Sequence, residues 1–367
     1  MGKKQYIFVF LILAGISIPA LQQGLKFMKV RPLAGLGNED TLVPERSFSW
    51  WDRGLQEYLE DYSTDSLSLR PACVRLRNQL EFSLFDRINA QDIYEHHGIF
   101  YRQSYPTYNE KSQFVGLEKI RKQVQVLADW QKKLGKDRVP VYVVITSSKL
   151  SYYRDELPWY NKTITSMTNR EQYKKELERA GIAVLDADSW FVQQKAHTKI
   201  PLMARGGVHW TLYGGALVMD SLIRRIGREK QTAFQQVEMT ISEKYQLYEP
   251  DNDGLNLANL MFPAKEEALR VVYFPEPAQP KKRLRPLVIS DSFFNVVDWT
   301  PLHPQVLDPA TPFYYYFKTR FSHSETTQRG ISNAVFANDL EHADCVILIT
   351  DIQNMHQFGF GLIEYLQ

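Results

Sequence analysis

The sequence predicts an α/β domain: a parallel sheet flanked by helices. Three observations carry that prediction. Short, fully apolar runs recur along the chain, as interior strands of a parallel sheet require. Amphipathic stretches at helical spacing separate them. Small polar and acidic residues follow each run, as they do at the carboxyl ends of strands where open sheets place their chemistry.

The elements follow in order. Phe114, Leu117, Ile120, Val124, Leu127, Trp130 and Leu134 recur at intervals of 3 or 4 and form one face of a long helix that Gly135 ends. Residues 139–145 (VPVYVVI) read as an interior strand. A helix over residues 169–180 passes through Gly181 into a strand over 182–185, and a further helix after Trp210 uses Leu217, Leu222 and Ile226. Residues 286–290 form a strand, residues 331–343 a helix and residues 346–350 a last strand. The carboxyl ends of these strands carry Ser147, Ser148 and Lys149, then Asp186 and Asp188, then Asp291 and Ser292, then Asp351.

Ahead of this domain the chain opens with Lys3 and Lys4, followed by the apolar stretch YIFVFLILAGISIPAL over residues 6–21. A basic flank before an apolar run is the pattern of a secretory signal or signal anchor. The run falls a little short of the ~20 residues that span a bilayer comfortably, although its flanks extend it. No small-residue cleavage site stands directly after it, so an uncleaved anchor is expected, with the lysines holding the N-terminus inside and the rest exported. The expected organisation is a signal anchor at 1–23, a tether and helical lead-in at 24–90, and the α/β domain at 91–367. In the lead-in, Trp50, Leu55 and Leu59, then Val74, Leu76, Leu80 and Leu84, suggest two helical pieces.

With 44% hydrophobic and 23% charged residues the 367-residue chain reads as globular rather than disordered. A net charge of +2 and the lack of a recognition motif give no case for a nucleic-acid partner. His96 and His97 are adjacent and point apart on any regular element, and no Cys/His cluster has metal-ligand spacing, so neither metal nor cofactor is expected. Cys73 and Cys345 leave the question of a disulfide open, the second lying in an apolar strand.

Two segments carry candidate chemistry. In LVISDSFF (287–294) a strand runs straight into Asp291-Ser292-Phe293, a turn that can lift a serine hydroxyl above the sheet edge while backbone N–H groups face a developing oxyanion. In RGGVHWTLYGGA (205–216), His209 and Trp210 open a helix after a glycine pair, and histidine suits the task of taking a serine proton near neutral pH. Alone, each has an ordinary structural reading, a helix cap for Ser292 and Asp291 and a packed loop residue for His209.

Taken together, the segments resemble the alginate O-acetyltransferase group of the SGNH-hydrolase-like superfamily, the AlgX/AlgJ-type proteins. In that family an Asp-x-His-Trp motif precedes a Gly-Asp-Ser-Phe-like serine, and here His209-Trp210 precedes Asp291-Ser292-Phe293. The strand-and-lysine segment 143–153 ahead of Leu157-Pro158, the segment Arg75-Leu76-Arg77-Asn78-Gln79 and the signal-anchor topology are also similar, so the resemblance spans roughly residues 60–367. It implies an SGNH-like parallel sheet and an O-acetyltransferase acting on an exported cell-surface polysaccharide, with Ser292 as nucleophile and His209 as base. It further implies a membrane-bound O-acyltransferase as acetyl supplier and a place at the outer face of the bacterial inner membrane. Two positions depart from the family. Gly207 stands where the triad aspartate would be, and Ser290 replaces the glycine of Gly-Asp-Ser. Asp186, Asp188 and Asp291 are the carboxylates that could orient His209 instead, and Asp291 is the one assigned to the site. Arg320 and Tyr315, in the aromatic run 314–321, are candidates for holding an acidic sugar, or else belong to an edge strand. The rival readings are an acetyl-esterase using the same residues, and a degenerate SGNH-like protein that assembles or binds polysaccharide.

Overall fold

The computed structural model describes residues 27–35, 69–88, 93–102, 114–135, 138–157, 168–198, 200–246, 249–262, 268–324 and 327–367, with single helical positions between 6 and 25. The apolar stretch expected to be an anchor, and Trp50, Leu55 and Leu59 of the lead-in, lie largely outside these residues. Among the described residues no helix is long and apolar enough to cross a membrane.

The chain divides into two compact units, 1–95 with 255–265 and 96–254 with 266–367. The expected domain at 91–367 is thus interrupted by an eleven-residue segment that groups with the N-terminal region. In that first unit the helix α1 (Arg70–Phe85) starts with Pro71 in its first turn and ends on Asp86 in the left-handed region. Its sequence-predicted stripe is not its buried face. Leu76, Leu80 and Leu84 are exposed, while Arg75 and Asn78 are buried. The reason is hydrogen bonding. Arg75 donates to the carbonyls of Arg31 (2.6 Å) and Pro32 (2.7 Å), and Asn78 to that of Ala258 (3.0 Å), so the polar side chains serve backbone groups of irregular segments.

Two short strands, β1 (Ile93–His96) and β2 (Ile99–Arg102), lead into the second unit. The helix α2 (Leu117–Leu134) has the predicted face, burying Ile120, Val124, Leu127 and Trp130, and Gly135 ends it at φ 78°. Then follow β3 (Val141–Ile145), α3 (Lys149–Tyr152), α4 (Asn169–Arg179), β4 (Ala183–Asp186), α5 (Ala187–Gln194) and α6 (Leu212–Glu229). The pair β5 (Thr240–Gln246) and, after the short helix α7 (Asp253–Leu257), β6 (Leu269–Tyr273) is antiparallel. The run closes with β7 (Pro286–Ser290), α8 (Asn295–Asp298), α9 (Leu302–Val306), β8 (Phe313–Tyr315), β9 (Thr319–Phe321), β10 (Gln328–Arg329), α10 (Asn333–Glu341), β11 (Cys345–Thr350) and α11 (Leu362–Tyr365).

Seven of these strands form one sheet in the order β10-β9-β8-β7-β11-β3-β4. Strands β7, β11, β3 and β4 are parallel, as predicted, and β8 joins them in parallel, whereas β9 and β10 add an antiparallel edge. The sheet is therefore mixed rather than purely parallel, because a tight turn at residues 316–318, with Tyr316 and Phe317 at positive φ, doubles the chain back after β8. Alternation along β3 splits the core in two. Tyr142 and Val144 pack on the α6 side, and Val141, Val143 and Ile145 on the α2 and α4 side. Fully burying an aliphatic side chain of this kind contributes roughly 1.5–3 kcal/mol, so both faces are firmly covered. The described cysteines, exposed Cys73 and buried Cys345, are both free thiols.

Candidate functional site

The centre of the sheet points its carboxyl ends at one place. Strand β7 ends at Ser290, and Asp291 caps the single turn of tight helix Ser292–Phe294, its side chain accepting from Phe293 N–H at 3.2 Å. Neighbouring β11 ends one residue before Asp351, whose N–H donates to Asp291 Oδ2 (2.8 Å), and Asn354 Nδ2 donates to the same oxygen (3.0 Å). These three donors hold the turn that displays Ser292. Burial pushes the Asp291 carboxyl above the usual carboxylate range, against the lowering by Asn354, the two N–H groups and the charge of His209.

His209 arrives from the loop before α6. Thr211, rather than the histidine, caps that helix, accepting from Gly214 N–H at 3.1 Å. Trp210 is buried, and Phe293 stands edge-on to both rings, 4.9 Å from His209 and 5.2 Å from Trp210. Arg205, at the head of the loop, gives its carbonyl to Lys149 Nζ (3.0 Å) and to Phe100 N–H (2.8 Å), so the buried lysine after β3 fixes where the loop begins.

These elements bring three side chains into a line. His209 Nε2 lies 2.7 Å from Ser292 Oγ, and His209 Nδ1 is hydrogen-bonded to Asp253 Oδ2. The other oxygen of Asp253 accepts from Val208 N–H (2.6 Å) and Gly254 N–H (2.8 Å). Burial raises the Asp253 carboxyl, but the charge and hydrogen bond of His209, the Val208 N–H and the charge of Lys149 outweigh it, and the group is held below the ordinary range. An ionised carboxylate can only accept, so the proton sits on Nδ1 and leaves Nε2 to accept from the serine hydroxyl. A serine flanked by a base and an orienting acid is the arrangement that activates an alcohol for acyl transfer.

Close backbone approach makes this line possible. A Cβ on Gly206 would stand 2.5 Å from Asn252 Oδ1, and one on Gly254 would stand 2.9 Å from the carbonyl oxygen of Gly206. The two loops approach closely where Gly254 lacks a side chain, since its Cβ would press on backbone, whereas at Gly206 the clash is chiefly with the end of the Asn252 side chain.

Residues 99–271 match the model of a family described as SGNH hydrolase-like domain, acetyltransferase AlgX. Over that segment the chain is similar to the AlgX-type acetyltransferase domain. The match includes His209 and Asp253 and stops short of Ser292. Among solved structures the chain is similar to the O-acetyltransferase domain of Pseudomonas putida AlgJ, at 14% identity over 68% of this chain and 91% of that one, with a TM-score of 0.42. It is also similar to Bacillus cereus PatB1 (14% identity, 67% and 93% covered, TM-score 0.39) and to Pseudomonas aeruginosa AlgX (10% identity, 66% and 61% covered, TM-score 0.38). No curated protein matches the sequence.

Against the family motif, the missing carboxylate at Gly207 has a counterpart 44 residues beyond His209, in Asp253. None of the three carboxylates considered from the sequence bonds the histidine. Asp291 faces away into its cage of donors. Asp186 is bound by Arg170 (2.9 Å) and Lys174 (3.0 Å), and Asp188 by Ser148 N–H (2.9 Å) and Arg170 (3.3 Å). Asp253 stands in Asp251-Asn252-Asp253-Gly254, a composition shared by any turn that opens a helix, so only the Asp-Gly pair near a predicted loop could have marked it. Ser290, in place of the family glycine, is fully buried in β7, and its Oγ has no partner among the described residues.

The aromatic run is structural. Arg320 is 3% exposed and grips buried Asp339 through Nε (2.5 Å) and Nη2 (2.8 Å), while Tyr314 donates to the same carboxylate at 2.7 Å. Tyr315 packs against the core on the α6 side, edge-on to Tyr316. Neither borders the depression around Ser292, which Val208, His209, Phe293, Asp351, Gln353 and Asn354 line with Asp291. A far larger cavity, about 670 Å³, opens at the amino ends of β3 and β4 between Pro140, Ala183 and Arg225. It lies at the wrong end of the strands for the chemistry of an open parallel sheet.

Proposed function

We propose that this protein is an O-acetyltransferase that modifies an exported polysaccharide through an acyl-serine intermediate. The Ser292–His209–Asp253 hydrogen-bond line is the observation that supports the reading, together with the SGNH-like acetyltransferase domain. Ser292 Oγ attacks the acetyl carbonyl as its proton passes to His209 Nε2. Asp253 holds the imidazole in the required tautomer and stabilises the cation that forms. Backbone N–H groups at the Ser292 turn hold the oxyanion. Collapse breaks the bond to the leaving group, which takes the proton from His209. A sugar hydroxyl then attacks the acetyl-serine, gives its proton to His209 and leaves as the acetyl ester, restoring the serine.

The acetyl supplier we propose is a membrane-bound O-acyltransferase, with the residue 6–21 stretch anchoring the chain at the outer face of the inner membrane. The three aligned side chains weigh against the degenerate reading. An acetyl-esterase would use them equally, with water as the acceptor.

The test is intact-mass spectrometry with an aryl acetate as donor, for the wild-type chain and Ser292→Ala. A single added acetyl group in the wild type and none in the variant is the expected result. Release to water without transfer to any oligosaccharide acceptor would select the esterase, and identical traces from both folded proteins would remove the acyl-serine altogether.

A further inference from the structure

Beyond the nucleophile turn in sequence, Asp298, His303 and His323 converge with their donor atoms all within 4.8 Å of one another. Asp298 ends α8, His303 lies in α9, and His323 follows β9, so three separate elements contribute. Asp298 and His303 are buried, at 4% and 1% exposure, and the His323 side chain is 41% exposed. Spacing along the sequence does not bring this group together, because His323 follows β9, some twenty residues after His303.

The geometry points to a site for a divalent transition metal, Zn²⁺ above all, held by Asp298 Oδ1, His303 Nδ1 and His323 Nε2. One carboxylate oxygen lies 2.9 Å from His303 Nδ1 and 3.1 Å from His323 Nε2. Two ring nitrogens aimed at a single oxygen need a positive centre between them, either a proton on each nitrogen or one cation shared by all three. Ligands about 2.0–2.1 Å from a tetrahedral Zn²⁺ stand about 3.3 Å apart, so the two nitrogen–oxygen spacings need to open by only a few tenths of an ångström, while the two rings, now 4.0 Å apart between centroids, need to separate to about 5 Å.

A second contact favours the metal. His303 Nε2 lies 3.4 Å from the carbonyl oxygen of Asp308, an acceptor. A proton on Nε2 directed there leaves the Nδ1 lone pair for a metal, the usual way an outer contact sets the tautomer of a ligating histidine. The carbonyl oxygen of Asp298 lies 2.9 Å from His323 Nε2, so without a metal that nitrogen carries a proton, which an incoming ion displaces. Two imidazoles and one carboxylate suit zinc and its neighbours, not magnesium or calcium, and the exposed His323 side gives an ion its way in and a position for water. Bound there, the ion ties the edge of the sheet at β9 to the segment that runs on from Ser292.

The experiment titrates Zn²⁺ into the untagged, chelator-treated full chain by calorimetry, with Co²⁺ absorption in the visible as a second readout of tetrahedral ligands. One saturable equivalent per chain is expected, lost in His323→Ala and retained in a His96→Ala/His97→Ala control. The half-exposed His323 is removable without unfolding, which circular dichroism verifies. Absence of saturable binding by the wild type, or equal binding by His323→Ala, would overturn the site and leave a protonated His–Asp–His network.

Discussion

Asp253 hydrogen-bonds His209 from the start of a helix 44 residues downstream, where Gly254 leaves room for the Gly206 carbonyl of the histidine's loop. The orienting acid of the candidate site is therefore supplied by a loop that the histidine's own motif does not contain.

Asp253→Asn is expected to lower kcat for aryl acetate hydrolysis by about 10³–10⁴, with little change in KM, because an amide no longer fixes the tautomer. Asp291→Asn should cost far less catalytically and show chiefly as a lower Tm, since it disturbs the donors around the turn. Steady-state kinetics of the two variants side by side decide the assignment. A larger kcat loss for Asp291→Asn would return the role to that residue.

Gly254→Ala adds a Cβ 2.9 Å from a backbone oxygen and 3.1 Å from Val208 Cγ1. Neither neighbour is the end of a flexible chain, so the two loops must part. Overpacking of this sort costs about 1–3 kcal/mol, and a displacement near 1 Å at Asp253 costs about 10²-fold in rate. Thermal unfolding and hydrolysis rates measured together should both fall.

Stability at low pH should report Asp186. Burial raises its carboxyl, but Arg170, the Ser189 N–H and Lys174 prevail and hold it below the ordinary value. A group depressed in the folded state stabilises above its unfolded pKa, and that contribution disappears as pH falls through the folded one. Asp186→Asn should lower Tm at pH 7, with the gap to wild type closing below about pH 4. Asp188, pushed upward by burial, works in the opposite sense, and taking the difference against wild type at each pH isolates Asp186.

Arg320→Ala is expected to destabilise by about 3–5 kcal/mol, because it leaves the Asp339 carboxylate buried without its counter-charge. Activity per folded molecule toward a small acetate donor should stay near wild type. A preserved Tm with weakened binding of an acidic oligosaccharide would restore Arg320 to substrate recognition.

Much of the sheet was legible from residue pattern. Residues 286–290 and 346–350 are apolar because helices cover both faces, and that burial writes itself into the sequence. The antiparallel edge was not, since β9 and β10 are only three and two residues long. In α1 an apolar stripe marked the wrong face, because Arg75 and Asn78 are buried by what they donate to rather than by their hydrophobicity. Ser292 and His209 stood out through the strand-to-turn and glycine-rich settings that geometry demands of them. Asp253 did not, for its role depends on a tertiary contact between two loops.

The strand order has a consequence for the timing of reactivity. Strand β11 lies between β3 and β7 and is made after both, and Asp351 and Asn354 beyond it secure the turn that presents Ser292. By then Asp253, His209 and Ser292 have all been synthesised, yet the serine has no fixed perch. Pairing so remote in sequence forms late and slowly. Under the proposed acyl-serine chemistry, a chain truncated before β11 is expected to leave the Ser292 turn without two of its three anchoring donors and to acylate slowly.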